Sequence, residues 1–164
     1  MKKVFYILFL LVGLSISTFA QKYNIPPGIP KQVYYMQISQ YPKGTDLIWK
    51  VMPDSTYKVF FKVDGRSGYA HYGQNSAATE AQTEIDSASL PRAIVLAIDS
   101  HYAGYRYKIV THFVTSTPLE YQEPFLKYVH DHYQVLLTKG KNSYKLYFTP
   151  DGQLLNRPEM KIME

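Results

Sequence analysis

The chain has 164 residues, 46% of them hydrophobic, which is enough for one substantial core or two small ones. It contains no cysteine, and that excludes disulfides, thiolate metal sites and thiol nucleophiles together. The formal charge is +5, but the basic residues are scattered, so the footprint of a nucleic-acid surface is missing.

Met1-Lys2-Lys3 leads into an apolar run from Val4 to Leu14, and Thr18-Phe19-Ala20 supplies small residues for a cleavage site. This pattern predicts a signal peptide over residues 1–20, cut after Ala20. The run is short for a membrane span, and no second stretch is long enough. No cysteine follows the cut to carry a lipid anchor. Loss of Lys2 and Lys3 leaves 16 basic against 13 acidic side chains, a net +3. The mature chain is expected to be periplasmic or secreted.

Residues 21–27 form a linker, and a first unit is expected over 28–86. Pro30 suits the start of a helix over Lys31 to Tyr41, with Val33, Met36 and Tyr41 near one face and Gln37 weakening the stripe. Pro42-Lys43-Gly44 ends it. Leu47, Trp49 and Val51 then alternate with Ile48 and Lys50 as a strand. A hairpin follows from Tyr57 to Tyr72 around Asp64-Gly65. A polar tract from Gln74 to Gln82 closes the unit.

The pattern then restarts, giving a second unit over 87–164. Leu90-Pro91-Arg92 matches Ile29-Pro30-Lys31, and Ile94, Ile98 and Tyr102 share one helical face. Tyr102 lies 61 residues after Tyr41, the offset that also separates Pro91 from Pro30. A strand from Tyr105 to Thr115 precedes an insertion at 117–131 with no counterpart in the first unit. Tyr133–Thr138 and Tyr144–Phe148 then flank a Gly/Asn turn, and Pro150-Asp151-Gly152 turns the chain again. The expected fold class is α+β, a tandem duplication of a helix plus antiparallel sheet. Its two small units pack as one extended sheet or two abutting ones, with the helices on one side.

The order Pro-x-x-Val/Ile, a helix-ending Tyr, a Trp-bearing strand and the segments 57–72 and 133–155 resembles the secreted bacterial PepSY-like domains. These are similar in turn to the β-lactamase-inhibitory protein. The resemblance covers nearly all of residues 28–160, and it implies a binding or inhibitory module whose open sheet face receives a partner. The chain departs from the pattern at Gln37, at Gly73 to Ser76 where an Asp-Gly turn is missing, and in the insertion.

Motifs for chemistry are sparse. His130 and His132 point to one side of an extended segment, with His112 a candidate third ligand, which makes a metal-dependent hydrolase the alternative reading. Asp99-Ser100-His101 has the residue types of a triad, but consecutive helical residues do not face one another. Glu120 and Glu123 lie in the insertion with nothing to converge on, and no phosphate-cradling loop occurs. No cofactor and no metal are expected.

What remains is a surface. Sixteen tyrosines serve either as strand formers or as contact residues. Alternation predicts that Tyr57, Val59, Phe61 and Val63 face the helix, while Lys58, Phe60 and Lys62 face away. Trp49, Phe60, Tyr72, Leu136, Lys145 and Tyr147 are the expected partner-binding residues, aromatic anchors edged by lysines for a protein or peptide. A structural role through self-association of sheet edges is a third reading.

Overall fold

The computed structural model describes residues 24–116, 126, 129–156, 158 and 160–162. The expected signal peptide and most of the insertion, including Glu120 and Glu123, lie outside these residues.

The described residues form two helices and eight strands. Helix α1 (Lys31–Gln40) precedes β1 (Gly44–Val51), β2 (Tyr57–Val63), β3 (Arg66–Tyr72) and β4 (Ala78–Glu84). A short 3-10 turn (Ser87–Ser89) leads to α2 (Arg92–His101), then β5 (Arg106–Thr115), β6 (Asp131–Lys139), β7 (Asn142–Phe148) and β8 (Met160–Ile162). All the strands join one antiparallel sheet in the order β1 to β8, so the single extended sheet forms rather than two abutting ones. Its edges are β1 and β8.

Both helices pack on the same side of the sheet. Beneath α1, Val33, Val59, Phe61, Ala70 and Tyr72 form one buried cluster with Ile29 and Ala81. Beneath α2, Ile94, Ile98, Val110, Val135, Leu137, Leu146 and Phe148 form another with Leu90. Each helix is only 10 residues long, too short to be stable alone, so burial against the sheet holds it.

The halves share a register. Trp49 opposes Val59 and Val59 opposes Ala70, as Val110 opposes Val135 and Val135 opposes Leu146. Ile48 with Phe60 corresponds in the same way to Ile109 with Leu136. Both first strands carry an irregularity just before these pairs. Tyr72 meets Ala78 where Phe148 meets Leu154.

The polar tract at 74–82 hides a strand. β4 presents only Ala78, Ala81 and Thr83 to the helix side, small residues that give no apolar alternation to read. The missing Asp-Gly turn is also present in backbone form. The N–H of Gly73 donates to Ala77 and that of Ser76 to Gly73, just as Thr149 donates to Gln153 and Gly152 to Thr149. Ser76 takes the left-handed conformation (φ 66°) that Gly152 takes (φ 88°) in the second half. Backbone geometry is kept where the sequence signature is lost.

Candidate functional site

The sheet side away from the helices, here the far face, divides into two regions. Over β1–β3 it carries Ile48 and Lys50, Lys58, Phe60 and Lys62, and Tyr69. Ile48 is 61% and Phe60 36% exposed, and the two stand opposite each other across the ladder. Lys50 Nζ and Lys58 Nζ lie 5.2 and 5.8 Å from the Phe60 ring centre, and Lys58 Nζ lies 4.2 Å from that of Tyr69. Lys62 is paired with Asp46 at 3.0 Å. An open apolar pair ringed by ammonium groups is the result.

The second region, over β4–β7, is only partly covered, with Ile109 40% exposed and Lys145 open beside a buried patch. In that patch Glu80, Thr115, His132 and Tyr147 are all below a tenth exposed. The His132 ring stacks on Phe113 at 4.9 Å, and burial lowers its pKa below the ordinary histidine value against an opposing backbone hydrogen bond with Val129. Lys145 Nζ lies 5.3 Å from the Tyr147 ring centre.

These placements correct two expected contact residues. Trp49 faces the helices, with its ring 6.1 Å from Tyr34 and 6.4 Å from Tyr72. The reason is register: Trp49 opposes core Val59, so its neighbours Ile48 and Lys50 turn outward. Lys50 could not share a core face with Ile48 without burying a charge, and the larger apolar area of Trp goes inside. Ile109 is likewise on the far face, opposite Leu136. Tyr72 is fully buried beneath α1, because the two-residue turn Asp64-Gly65 sets it opposite helix-facing Tyr57. Its hydroxyl donates to Gln37 Oε1 at 2.7 Å, and burial pushes its pKa up.

Phe60, Leu136, Lys145 and Tyr147 do lie on the far face. Phe60 is separated from the other three by β3, β4 and β5, and strands spaced about 4.8 Å apart put β2 and β6 about 19 Å from each other. Leu136 is half-buried, Lys145 is exposed and Tyr147 is 7% exposed. Ile48, Lys50 and Tyr69 were missed as contact candidates. Their signal was the alternation of β1, in which the lysine marks the outward side.

No family model and no curated protein matches this chain. Solved structures do. A BLIP-like protein from Bacteroides fragilis superimposes with a TM-score of 0.56 at 22% identity, over 85% of this chain and 90% of that one. The fold is BLIP-like. A DUF2874 family protein from Bacteroides uniformis gives 0.53 at 19% identity, over 79% of this chain and 89% of its own. A Bacteroides eggerthii protein provisionally described as periplasmic gives 0.53 at 18% identity, over 80% and 88%.

Within this BLIP-like fold the three candidate histidine ligands do not converge, and of Asp99-Ser100-His101 only the last two touch. His112 sits on the helix side, where its Nε2 pairs with Asp131 at 2.8 Å and its ring stacks on Tyr133. His132 points to the opposite side of the sheet, and His130 Nδ1 lies 3.1 Å from the Thr115 carbonyl. The three imidazoles therefore do not share a face, and His112 cannot complete a site with the other two. Among the described residues no group of three His, Asp or Glu side chains converges. Against the expectation for consecutive helical residues, Ser100 Oγ lies 2.6 Å from His101 Nδ1, but both groups also lie within reach of the Ala97 carbonyl at the exposed end of α2, and among the described residues no carboxylate is hydrogen-bonded to the imidazole to complete a triad. The described residues contain no helix long and apolar enough to cross a membrane.

Proposed function

We propose that the chain is a secreted or periplasmic, non-enzymatic binding module that docks a protein or peptide on the far face over β1–β3. The observation that carries this reading is the opposed pair Ile48 and Phe60, left open to solvent on a sheet whose other side holds both core clusters. Exposed apolar anchors with a charged rim are the composition of an interface rather than of a solvated face. Flanking strands hold the two side chains in place, so little conformational freedom is lost on binding.

The leader-like N-terminus and the periplasmic description of the B. eggerthii neighbour support an extracytoplasmic location. The shared register of the halves supports descent from a duplicated PepSY-like unit of one helix and its strands. Inhibition of an envelope or extracellular enzyme is the activity such a module would exert.

The test is capture of partners from the native envelope fraction with the mature chain, with Phe60→Ala and with Leu96→Ala on the outer side of α2. Loss of a discrete partner in Phe60→Ala alone supports the reading. Equal capture by both variants removes the far face from consideration.

A further inference from the structure

The exposed patch on β1–β3 contains a like-charge pair that the described structure leaves unneutralised. Lys50 and Lys58 are direct cross-strand partners on one face, a position in which equal charges destabilise a sheet. The Lys50 ammonium leans on the Phe60 ring at 5.2 Å, and that of Lys58 lies 4.2 Å from the Tyr69 ring centre and 5.8 Å from that of Phe60. A ring quadrupole attracts each cation but supplies no net negative charge. Neighbouring cations are treated differently, since Lys62 is paired with Asp46 and Arg66 with Asp86. Among the described residues no carboxylate pairs with Lys50 or Lys58. Glu80 is buried and accepts a hydrogen bond from the Tyr69 hydroxyl, so it is turned away from this duty.

We propose that the partner presents an acidic protein segment, seating a carboxylate between Lys50 and Lys58 and an apolar side chain on Ile48 and Phe60. The inference rests on the far-face reading above and adds the chemistry of what docks there. Charge complementarity selects an acidic partner, because two opposed cations gain most from one anion placed between them. A protein segment fits better than a lipid surface. Anionic membranes are recognised by clusters of about four to eight basic residues, whereas this patch has three lysines, one of them paired with Asp46, around a solvent-exposed isoleucine and phenylalanine.

Fluorescence anisotropy with three labelled peptides tests this, each alternating Leu with Glu, Gln or Lys. The mature chain binds the Glu peptide about tenfold more tightly than the Gln peptide, as expected of charge-assisted contacts, and the Lys peptide most weakly. The preference disappears in K50Q/K58Q. Equal affinity for the Glu and Gln peptides, no binding of any peptide, or a preference that survives K50Q/K58Q overturns the proposal. So does capture of phosphatidylglycerol vesicles in place of the Glu peptide. F60A separates the two readings: if it weakens the Gln peptide while no Glu preference exists, the face stands and only its charge logic falls. A second readout needs no ligand. Lys50→Glu creates a cross-strand ion pair with Lys58 and raises Tm, while an unchanged or lower Tm shows that no repulsion was there to relieve.

Discussion

Tyr72 and Gln37 form a hydrogen-bonded pair, both fully buried, at the positions that Phe148 and Ile98 fill in the second half of the molecule. One half thus uses a polar pair where the other uses two apolar side chains. Gln37, an interruption in the helical stripe by sequence, is a core residue whose carbonyl accepts the Tyr72 hydroxyl.

Breaking that pair from one side is therefore costly. Tyr72→Phe leaves the buried Gln37 carbonyl without its donor and is expected to cost about 1–3 kcal/mol. Gln37→Ile is expected to cost less, since the Tyr72 hydroxyl also reaches Gln40 Oε1 at 3.0 Å. The double substitution copies the apolar arrangement of the second half and should cost less than the two singles together. Urea denaturation of the four proteins measures this coupling.

Trp49 separates stability from binding. Its ring packs beneath α1 against Tyr34 and Tyr72, so Trp49→Ala is expected to lose about 3–5 kcal/mol. Phe60→Ala, on the exposed side, is expected to stay within about 1 kcal/mol of the parent. Thermal unfolding of both variants checks the assignment of faces, and a Phe60→Ala protein as unstable as Trp49→Ala would contradict it.

The turn before β4 gives a third expectation. Ser76 holds φ 66° in a conformation disfavoured for residues with a Cβ, and the equivalent Gly152 does not pay that penalty. Ser76→Gly is expected to raise stability by up to about 1 kcal/mol, because strain relief exceeds the added freedom of the unfolded chain. Gly152→Ala is expected to cost several times more, since its Cβ would sit 2.8 Å from the Ala93 backbone. Differential scanning calorimetry reads both signs.

His132 predicts a pH dependence. Its folded pKa lies below the unfolded value, so the unfolded chain binds the proton more readily. The contribution of the neutral ring is therefore complete above about pH 6.5, the unfolded value, and is lost as pH falls toward the folded pKa. Desolvation sets the direction, with the Asp131 charge opposing it and that of His112 reinforcing it. Tm measured from pH 7.5 to 5 is expected to fall more steeply in the parent than in His132→Phe, which keeps a ring against Phe113 and cannot titrate.

Much of the architecture is legible from residue order. Ile29-Pro30 and Leu90-Pro91 mark both helix starts, Tyr41 and Tyr102 both helix ends, and Asp64-Gly65 fixes the hairpin register. β4 escapes because its inward side chains are Ala and Thr, which bury against the sheet without an apolar pattern. The facing of Trp49 escapes because both Ile48 and Trp49 are apolar, and only the partner strand decides between them. The covered region around His132 and Tyr147 escapes because tertiary burial on a sheet face leaves no mark in local alternation.

Site-specific photocrosslinking tests the docking face most directly. The mature chain carrying p-benzoylphenylalanine at position 60, and separately at position 96 on the outer side of α2, is irradiated in native envelopes. The account predicts one discrete adduct at position 60, blocked by excess unlabelled parent chain and absent at position 96. An adduct confined to position 96, or equal labelling at both positions, would contradict it.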